Sequence, residues 1–291
     1  GQLIGTDERF TNAFPDDDPS ALINDSTLYE NGLQAFQEYN PLRDEFYGET
    51  GDAVTANERK LYRYNTYGSD AASFQLDTRS FRDTALPGPE DFTDPAQIGA
   101  TLAATFTPGR TLLGDIQLTD FKQDLLDAQS AGITWKFVMI PEPIQNLFPG
   151  IVTDAYDGYN AERTEILKFV EDNNIENVVL VADDVHMTSV NNLTYKEEPF
   201  GEQIATNMWE ITTGAVAYED PTGRFLGQLF TADNPELKAL YDSLPIAPDA
   251  DDVANDKDDF VEAAINDFSL NPLGYDPVGL DNNLPQAEGL I

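Results

Sequence analysis

The sequence contains no cysteine and a single histidine, His186, in 291 residues. The absence of cysteine excludes a disulfide, a thiolate nucleophile and any cysteine-based metal site. One imidazole without thiolates also disfavours a zinc-only site, because zinc sites are built from several nitrogen and sulfur ligands. Any metal bound by this protein should therefore be held mainly by oxygen atoms.

Basic residues are scarce, with 16 Lys plus Arg against 53 Asp plus Glu and a formal net charge of −37. Such a field repels phosphate backbones, which excludes nucleic-acid binding through a basic face. It attracts cations and keeps a protein soluble in salty water. We interpret it as the surface of a halophilic protein or of one from a calcium-rich exterior. Acidic charge that serves solubility alone is the alternative.

The sequence also lacks a long apolar run, since no stretch approaches the ~20 residues that a membrane-spanning helix needs. No membrane span is therefore expected. Hydrophobic residues still make up 41% of the chain, and a chain of this length can bury a substantial core.

Residues 176–186 form the most informative stretch, an apolar β-branched run that ends in two carboxylates and the only histidine. Such a run is typical of a strand buried on both faces, and open α/β sheets place their chemistry at strand ends. In extended backbone Asp184 and His186 would point the same way, so that both could bind one metal ion. The alternative is that His186 is only a hydrogen-bonded residue at a strand end.

Helical and strand patterns alternate along the chain, which indicates an α/β fold. Strands are predicted over residues 60–67, 72–77, 134–140, 177–182 and 208–213, and a loop over residues 187–195. Helices are predicted over residues 28–39, 98–106, 117–129, 160–172, 235–244 and 258–268. We expect strands 72–77, 134–140 and 177–182 to share one sheet, with helices 117–129 and 160–172 packed on it.

Three motifs, in this order, resemble the alkaline phosphatase D (PhoD-like) family of the metallophosphoesterase superfamily. They are Trp135-Lys136-Phe137-Val138, Asp157-Gly158-Tyr159-Asn160-Ala161-Glu162-Arg163, and Asp184-Val185-His186. The resemblance implies a metallophosphoesterase-like β-sandwich flanked by helices, with mixed sheets. It places residues 1–230 in a phosphatase domain whose upstream part is missing from this chain. Residues 231–291 are expected to form acidic helices and loops packed on that domain or extending it.

The resemblance also implies hydrolysis of phosphate monoesters or diesters by a metal-dependent enzyme in an extracellular, periplasmic or cell-surface location. Asp7, Asp184 and His186 match metal-associated positions, and His186 is also expected to take part in catalysis. Asn12 matches an asparagine that orients a phosphate oxygen. The implied metals are calcium and iron, with another divalent metal as an alternative.

Arg79 and Arg82 lie in a segment, residues 77–83, that is similar to a further part of the family. Two arginines beside Asp77 and Asp83 are typical of a structural ion-pair cluster. The functional alternative is a substrate loop in which the arginines orient the chain around an anion site.

Departures from the family pattern leave a second function open. Glu8 stands where the family has histidine, Asp183 replaces a small glycine, and the upstream Gly-Asp-x-x-Tyr segment has no counterpart. Either another segment of a longer polypeptide completes the site, or the site is incomplete. In the second case the chain would be a catalytically degenerate domain that serves as a secreted calcium-binding structural or surface protein.

Overall fold

The computed structural model describes residues 27–92, 94–186, 188–214, 222–232, 234–246 and 255–275. The predicted site residues Asp7 and Asn12 lie outside these ranges. The strands are Arg63–Tyr67 (β1), Ala71–Gln75 (β2), Trp135–Ile140 (β3), Val178–Ala182 (β4), Ser189–Lys196 (β5) and Gln203–Thr212 (β6). The α-helices are Thr27–Tyr39 (α1), Pro95–Thr105 (α2), Asp115–Ser130 (α3), Asn160–Asp172 (α4), Thr222–Thr231 (α5), Pro235–Ser243 (α6) and Lys257–Ile265 (α7).

The six strands form one mixed sheet in the order β1-β2-β3-β4-β6-β5. Strands β2, β3, β4 and β6 run parallel, whereas β1 and β5 pair with their neighbours in antiparallel orientation. Parallel strands end at the same edge of a sheet, so the segments that follow β2, β3, β4 and β6 meet there. The α/β class and the mixed sheet are confirmed. The resemblance also implied a second layer of strands, and the described part of the chain contributes one sheet.

One face of this sheet carries the main core, because alternate strand residues point toward helices α3 and α4. Phe74 of β2 meets Phe121 of α3 edge-on, with ring centroids 5.8 Å apart. The other buried side chains of this layer include Val138, Ile140, Leu180, Leu125, Ile166, Leu167 and Val170. The prediction that the three strands share a sheet with both helices packed on it is confirmed.

A second apolar cluster joins the C-terminal helices to the rest of the molecule. It contains Leu102, Leu147, Leu226, Tyr241, Val261, Ile265, Leu270 and Tyr275. Lys196 at the end of β5 connects this cluster to the sheet. Its Nζ donates a hydrogen bond to Gly274 O at 2.5 Å and lies 4.0 Å from the ring centroid of Tyr275. No helix of the described residues is both long and apolar enough to cross a membrane.

The predicted loop over residues 187–195 is wrong, because β5 spans Ser189–Lys196. Asparagines have low strand propensity, and this segment contains two in succession. The structure uses them within the sheet: Asn192 Nδ2 donates to Thr206 O and Met208 O of β6 at 3.2 and 3.1 Å. These bonds to the neighbouring strand support an irregular pairing between Asn192 and Thr194.

Candidate active site

A buried glutamate, Glu142, stands at the carboxyl edge of the sheet, two residues after β3. Thr78, which follows β2, donates from Oγ1 to Glu142 Oε2. Arg79 Nη2 lies 3.6 Å from Glu142 Oε1, an atom that has no hydrogen-bond partner among the described residues. The ends of two adjacent parallel strands are thus joined by one buried carboxylate.

Burial raises the pKa of Glu142 above its ordinary value, because a charged carboxylate loses hydration in the interior. The Thr78 hydroxyl, Arg79 and Arg82 act in the opposite direction, while the negative charge of Asp184 adds to the rise. Charged groups from the segments after β2 and β4 therefore act on the same carboxylate. The edge brings together three of the predicted site residues, Arg79, Arg82 and Asp184, around a glutamate that the sequence analysis did not single out.

The loop that carries Arg79 is fixed by Asp77. Asp77 Oδ1 accepts hydrogen bonds from Arg79 N at 2.9 Å and Ser80 N at 3.1 Å. The side chain of Gln117 of α3 holds the Asp77 backbone in turn. Asp77 N donates to Gln117 Oε1 at 2.8 Å, and Gln117 Nε2 donates to Asp77 O at 2.7 Å. The arginine therefore extends from a rigid turn.

Arg79, Arg82 and Asp83 pair with groups elsewhere in the chain, whereas the Asp77 carboxylate bonds within its own turn. Arg79 pairs with Glu142, and Arg82 Nη1 donates to Asp154 O at 3.0 Å. Asp83 Oδ2 accepts from Thr111 N at 3.0 Å. Arg82 thus braces a neighbouring loop, while the Arg79 side chain is about half exposed.

Asp184 and His186 occupy a turn after β4, and the expectation of extended backbone is wrong. The strand ends at Ala182, Val185 N donates to Asp183 O at 2.9 Å, and φ is 73° at Asp184 and 55° at His186. The shared side-chain direction therefore cannot be argued from strand alternation. In the described parts of the chain no group of three or more His, Cys, Asp or Glu side chains is arranged to hold a metal ion. The metal role of Asp184 and His186 stays a prediction.

Acidic side chains of the motif at the start of α4 hold loops by accepting backbone hydrogen bonds. Glu162 Oε1 accepts from Leu112 N at 3.0 Å and Leu113 N at 3.1 Å. Asp157 Oδ2 accepts from Phe148 N at 3.1 Å. Both acids are buried, so these bonds replace the hydration that the carboxylates lose.

Arg163 and Glu210 fix the segment that follows β3. Glu210 of β6 accepts from Ile144 N at 2.6 Å and Gln145 N at 3.2 Å. The Arg163 guanidinium donates from Nε to Ile144 O and from Nη2 to Thr194 O, the latter at 2.7 Å. A buried cation and a buried anion therefore hold the N–H and C=O groups of the same short turn, two to three residues beyond the candidate site.

Residues 10–246 match the PhoD-like phosphatase family. The chain belongs to this family. Alkaline phosphatase D of Bacillus subtilis (strain 168) is 29% identical over 171 residues, which is 55% of this chain and 26% of that protein. The solved structure of PhoD is 26% identical with a TM-score of 0.47, covering 62% of this chain and 33% of the solved chain. The chain therefore spans about a quarter of the length of the curated relative.

Two buried glutamates of this PhoD-like chain, Glu142 and Glu210, were given no role in the sequence analysis, although Glu210 begins a segment, residues 210–214, that is similar to the family. Glu142 had a usable signal, since it directly follows a predicted buried strand, as Asp184 does. Glu210 had a weaker one, because it lies inside a strand whose apolar residues occur at both odd and even positions. Whether the Glu210 side chain points into the core depends on which face of the sheet the helices cover, and the sequence of β6 alone does not show this.

The free energy of unfolding is expected to fall as the pH rises from about 4.5 to about 7. Burial raises the pKa of Glu162 and of Glu210 from 4.5 to about 7. In this window the native state keeps protons that the unfolded state has lost, so each group lowers stability by up to about 1.4 kcal/mol per pH unit. Urea unfolding across this range measures the slope.

The matched variants for this measurement lie on one helix. Glu162→Gln should flatten the pH slope, although it weakens the fold at every pH by losing one acceptor for the loop amides. Glu165→Gln, at an exposed position of α4, should leave the slope as in the parent protein. Equal slopes for all three proteins would contradict the assigned pKa of Glu162.

Proposed function

We propose that this chain forms part of a metal-dependent phosphoric ester hydrolase of the alkaline phosphatase or phosphodiesterase type, acting outside the cytoplasm. Family membership supports hydrolysis of a phosphate ester. The main support for the proposal is the position of Arg79, whose side chain is half exposed at the carboxyl edge of the sheet and pairs with the buried Glu142. In a chain with a net charge of −37, an anionic substrate needs such a local positive group in order to bind.

Arg79 is the residue that binds and orients the phosphoryl group in this proposal. Its planar guanidinium can donate two parallel hydrogen bonds to phosphate oxygens. Glu142 holds the guanidinium from the buried side, and Thr78 in turn holds Glu142. Asp77 fixes the backbone at Arg79, so the fork is positioned before substrate arrives, which lowers the entropic cost of orienting it.

The donor chemistry of the edge fits a hard cation. Asp184 supplies carboxylate oxygens of the kind calcium prefers, and His186 adds a nitrogen donor that suits iron. A complete site would need donors from beyond the described residues, such as Asp7, because the described part lacks a three-donor group. When bound, such a metal lowers the pKa of a coordinated water and neutralises negative charge on the phosphoryl oxygens.

The test is His186→Ala, measured for bound metal after loading with calcium and iron and for turnover of a bis-aryl phosphate. We expect metal content and turnover to fall together while the far-UV circular dichroism is retained, because β4 does not depend on His186. Asp183→Gly, which changes the adjacent carboxylate, is the control and should keep its metal. Unchanged metal content in His186→Ala would contradict the metal role. Metal binding without turnover in the parent protein would favour the degenerate structural domain instead.

A further inference from the structure

A cavity of about 500 Å³ begins at the candidate active site. Thr78 and Arg79, which follow β2, and Pro141, which follows β3, form part of its wall. Phe36 of α1 and Leu42, which follows that helix, form another part. The volume is that of a small-molecule binding site. Arg79, which binds the phosphoryl group in the proposed function, therefore lines a space large enough for the rest of a substrate.

The wall of this cavity is mostly apolar. Its apolar residues are Phe36, Pro41, Leu42, Leu61, Leu76 and Pro141. Leu42 and Leu61 are half-buried, and Phe36 is about half exposed. Cavities that bind small organic molecules combine such a wall with a few polar groups that fix the orientation of the ligand. In this cavity the Arg79 guanidinium is a polar group of that kind.

The charge of the wall is opposite in sign to that of the chain as a whole. Among the described residues that line the cavity, Arg43, Arg63 and Arg79 are basic and Asp77 alone is acidic. Asp77 Oδ1 accepts hydrogen bonds from the backbone of its own turn. In a chain with a net charge of −37, this local excess of positive charge favours an anionic ligand.

Arg63 holds one side of the cavity in place. Its residue is buried, and its Nη1 and Nη2 atoms donate to Tyr62 O at 2.8 Å and to Arg43 O at 2.5 Å. The second bond fixes the backbone next to Leu42. The apolar wall is therefore in position before a ligand binds, which lowers the entropic cost of binding.

We propose that this cavity binds the organic ester group of the substrate and selects an apolar, uncharged group such as an aromatic ring system. The inference rests on the proposed function, because Arg79 must hold the phosphoryl group for the ester group to enter the cavity. Leu42 and Leu61 are the specificity-determining residues. A sugar in this position would lose hydration from its hydroxyl groups against a wall that offers them few partners.

The experiment measures binding directly, so that its result does not depend on turnover. The probes are methylphosphonate and 1-naphthylphosphonate, which carry the same charged group and differ in the organic group attached to phosphorus. Each is titrated calorimetrically into the protein loaded with calcium and iron, at alkaline pH, where both probes are dianions. We expect 1-naphthylphosphonate to bind at least about tenfold more tightly, because its rings bury apolar surface in the cavity.

Leu61→Gln should remove this preference and leave the affinity for methylphosphonate unchanged. Leu42→Gln should act in the same way, and it serves as the test should Leu61→Gln fail to fold. Leu240→Gln, at an exposed leucine of α6, is the matched control and should change neither affinity. Arg79→Gln should weaken the binding of both probes by a similar factor, since they share the phosphonate group.

The outcomes separate this inference from the proposed function. Equal affinities for the two probes in the parent protein, together with weaker binding of both in Arg79→Gln, would overturn the inference and leave the role of Arg79 intact. A naphthyl preference that persists in both leucine variants would also overturn it, because the rings would then bind elsewhere. A methylphosphonate affinity that Arg79→Gln does not change would contradict the proposed function itself. Binding of neither probe would contradict both.

Discussion

Arg163→Met is expected to lower the melting temperature by roughly 10 °C, the largest stability loss that we predict for one substitution. Arg163 is buried and donates to Ile144 O and Thr194 O. Burial raises the pKa of Asp157 and of Glu210, and the positive charge of Arg163 lowers it, so removal of Arg163 takes away an attraction that favours the charged carboxylates. Leaving two buried carbonyl oxygens without this donor costs about 1–3 kcal/mol each, a large part of the stability of a typical domain.

Thermal unfolding of Arg163→Met is compared with that of a control variant on the same helix, α4, and with that of Arg163→Lys. Lys168→Met, at an exposed position of α4, should shift the melting temperature little. Arg163→Lys should lie between the parent and Arg163→Met, since an ammonium keeps the charge but cannot reach both carbonyls in the geometry of the guanidinium. A melting temperature for Arg163→Met equal to that of Lys168→Met would show that the motif at the start of α4 does not hold the turn after β3.

The sequence was sufficient where a pattern depends on neighbouring residues alone. The helix predicted over residues 160–172 and the one observed, Asn160–Asp172, coincide. The strand predicted over residues 177–182 differs from the observed strand by one residue. In both, apolar spacing and local propensity agree with the tertiary environment.

The sequence was insufficient where the direction of a side chain depends on which face of the sheet the helices pack against. In Trp135-Lys136-Phe137, alternation would place the lysine in water and the aromatic residues in the core. The structure has the reverse, because Lys136 Nζ reaches Gln129 Oε1 at 2.5 Å and Glu176 O at 3.0 Å while both aromatic side chains lie on the opposite, partly exposed face of the sheet. A strand that is apolar on both sides gives no periodicity from which its core face can be read.

The sequence indicated that polar residues would collect at the carboxyl ends of the strands. It identified only some of the residues that meet there. The family resemblance located the segment around Arg79, and the rule that chemistry collects at the carboxyl ends of parallel strands located the segment around Asp184. Applied to every strand, it would have included Glu142, which lies between two prolines after β3. What sequence could not supply is the contact of Glu142 with Thr78, 64 residues earlier, since this depends on β2 and β3 being neighbours.

Arg79→Gln is expected to lower kcat/KM for a bis-aryl phosphate by about 100-fold or more. Loss of one charged donor to developing negative charge typically costs this much in a preorganised site. The fold should be retained, because Arg79 lies 3.6 Å from Glu142 Oε1 without a hydrogen bond to it and the turn is held by the Asp77 side chain. Arg79→Lys should recover part of the loss, since it restores the charge without the planar fork.

Arg43→Gln is the matched control for this measurement. Arg43 and Arg79 line the same cavity of about 500 Å³, but Arg43 is largely exposed and pairs with Glu45 at 3.8 Å. A general effect of positive charge on an anionic substrate would lower kcat/KM to a similar extent in both variants. A specific phosphate contact at Arg79 would affect that variant alone. Equal losses, measured at low and at physiological ionic strength, would contradict the role assigned to Arg79 and leave electrostatic attraction as the explanation.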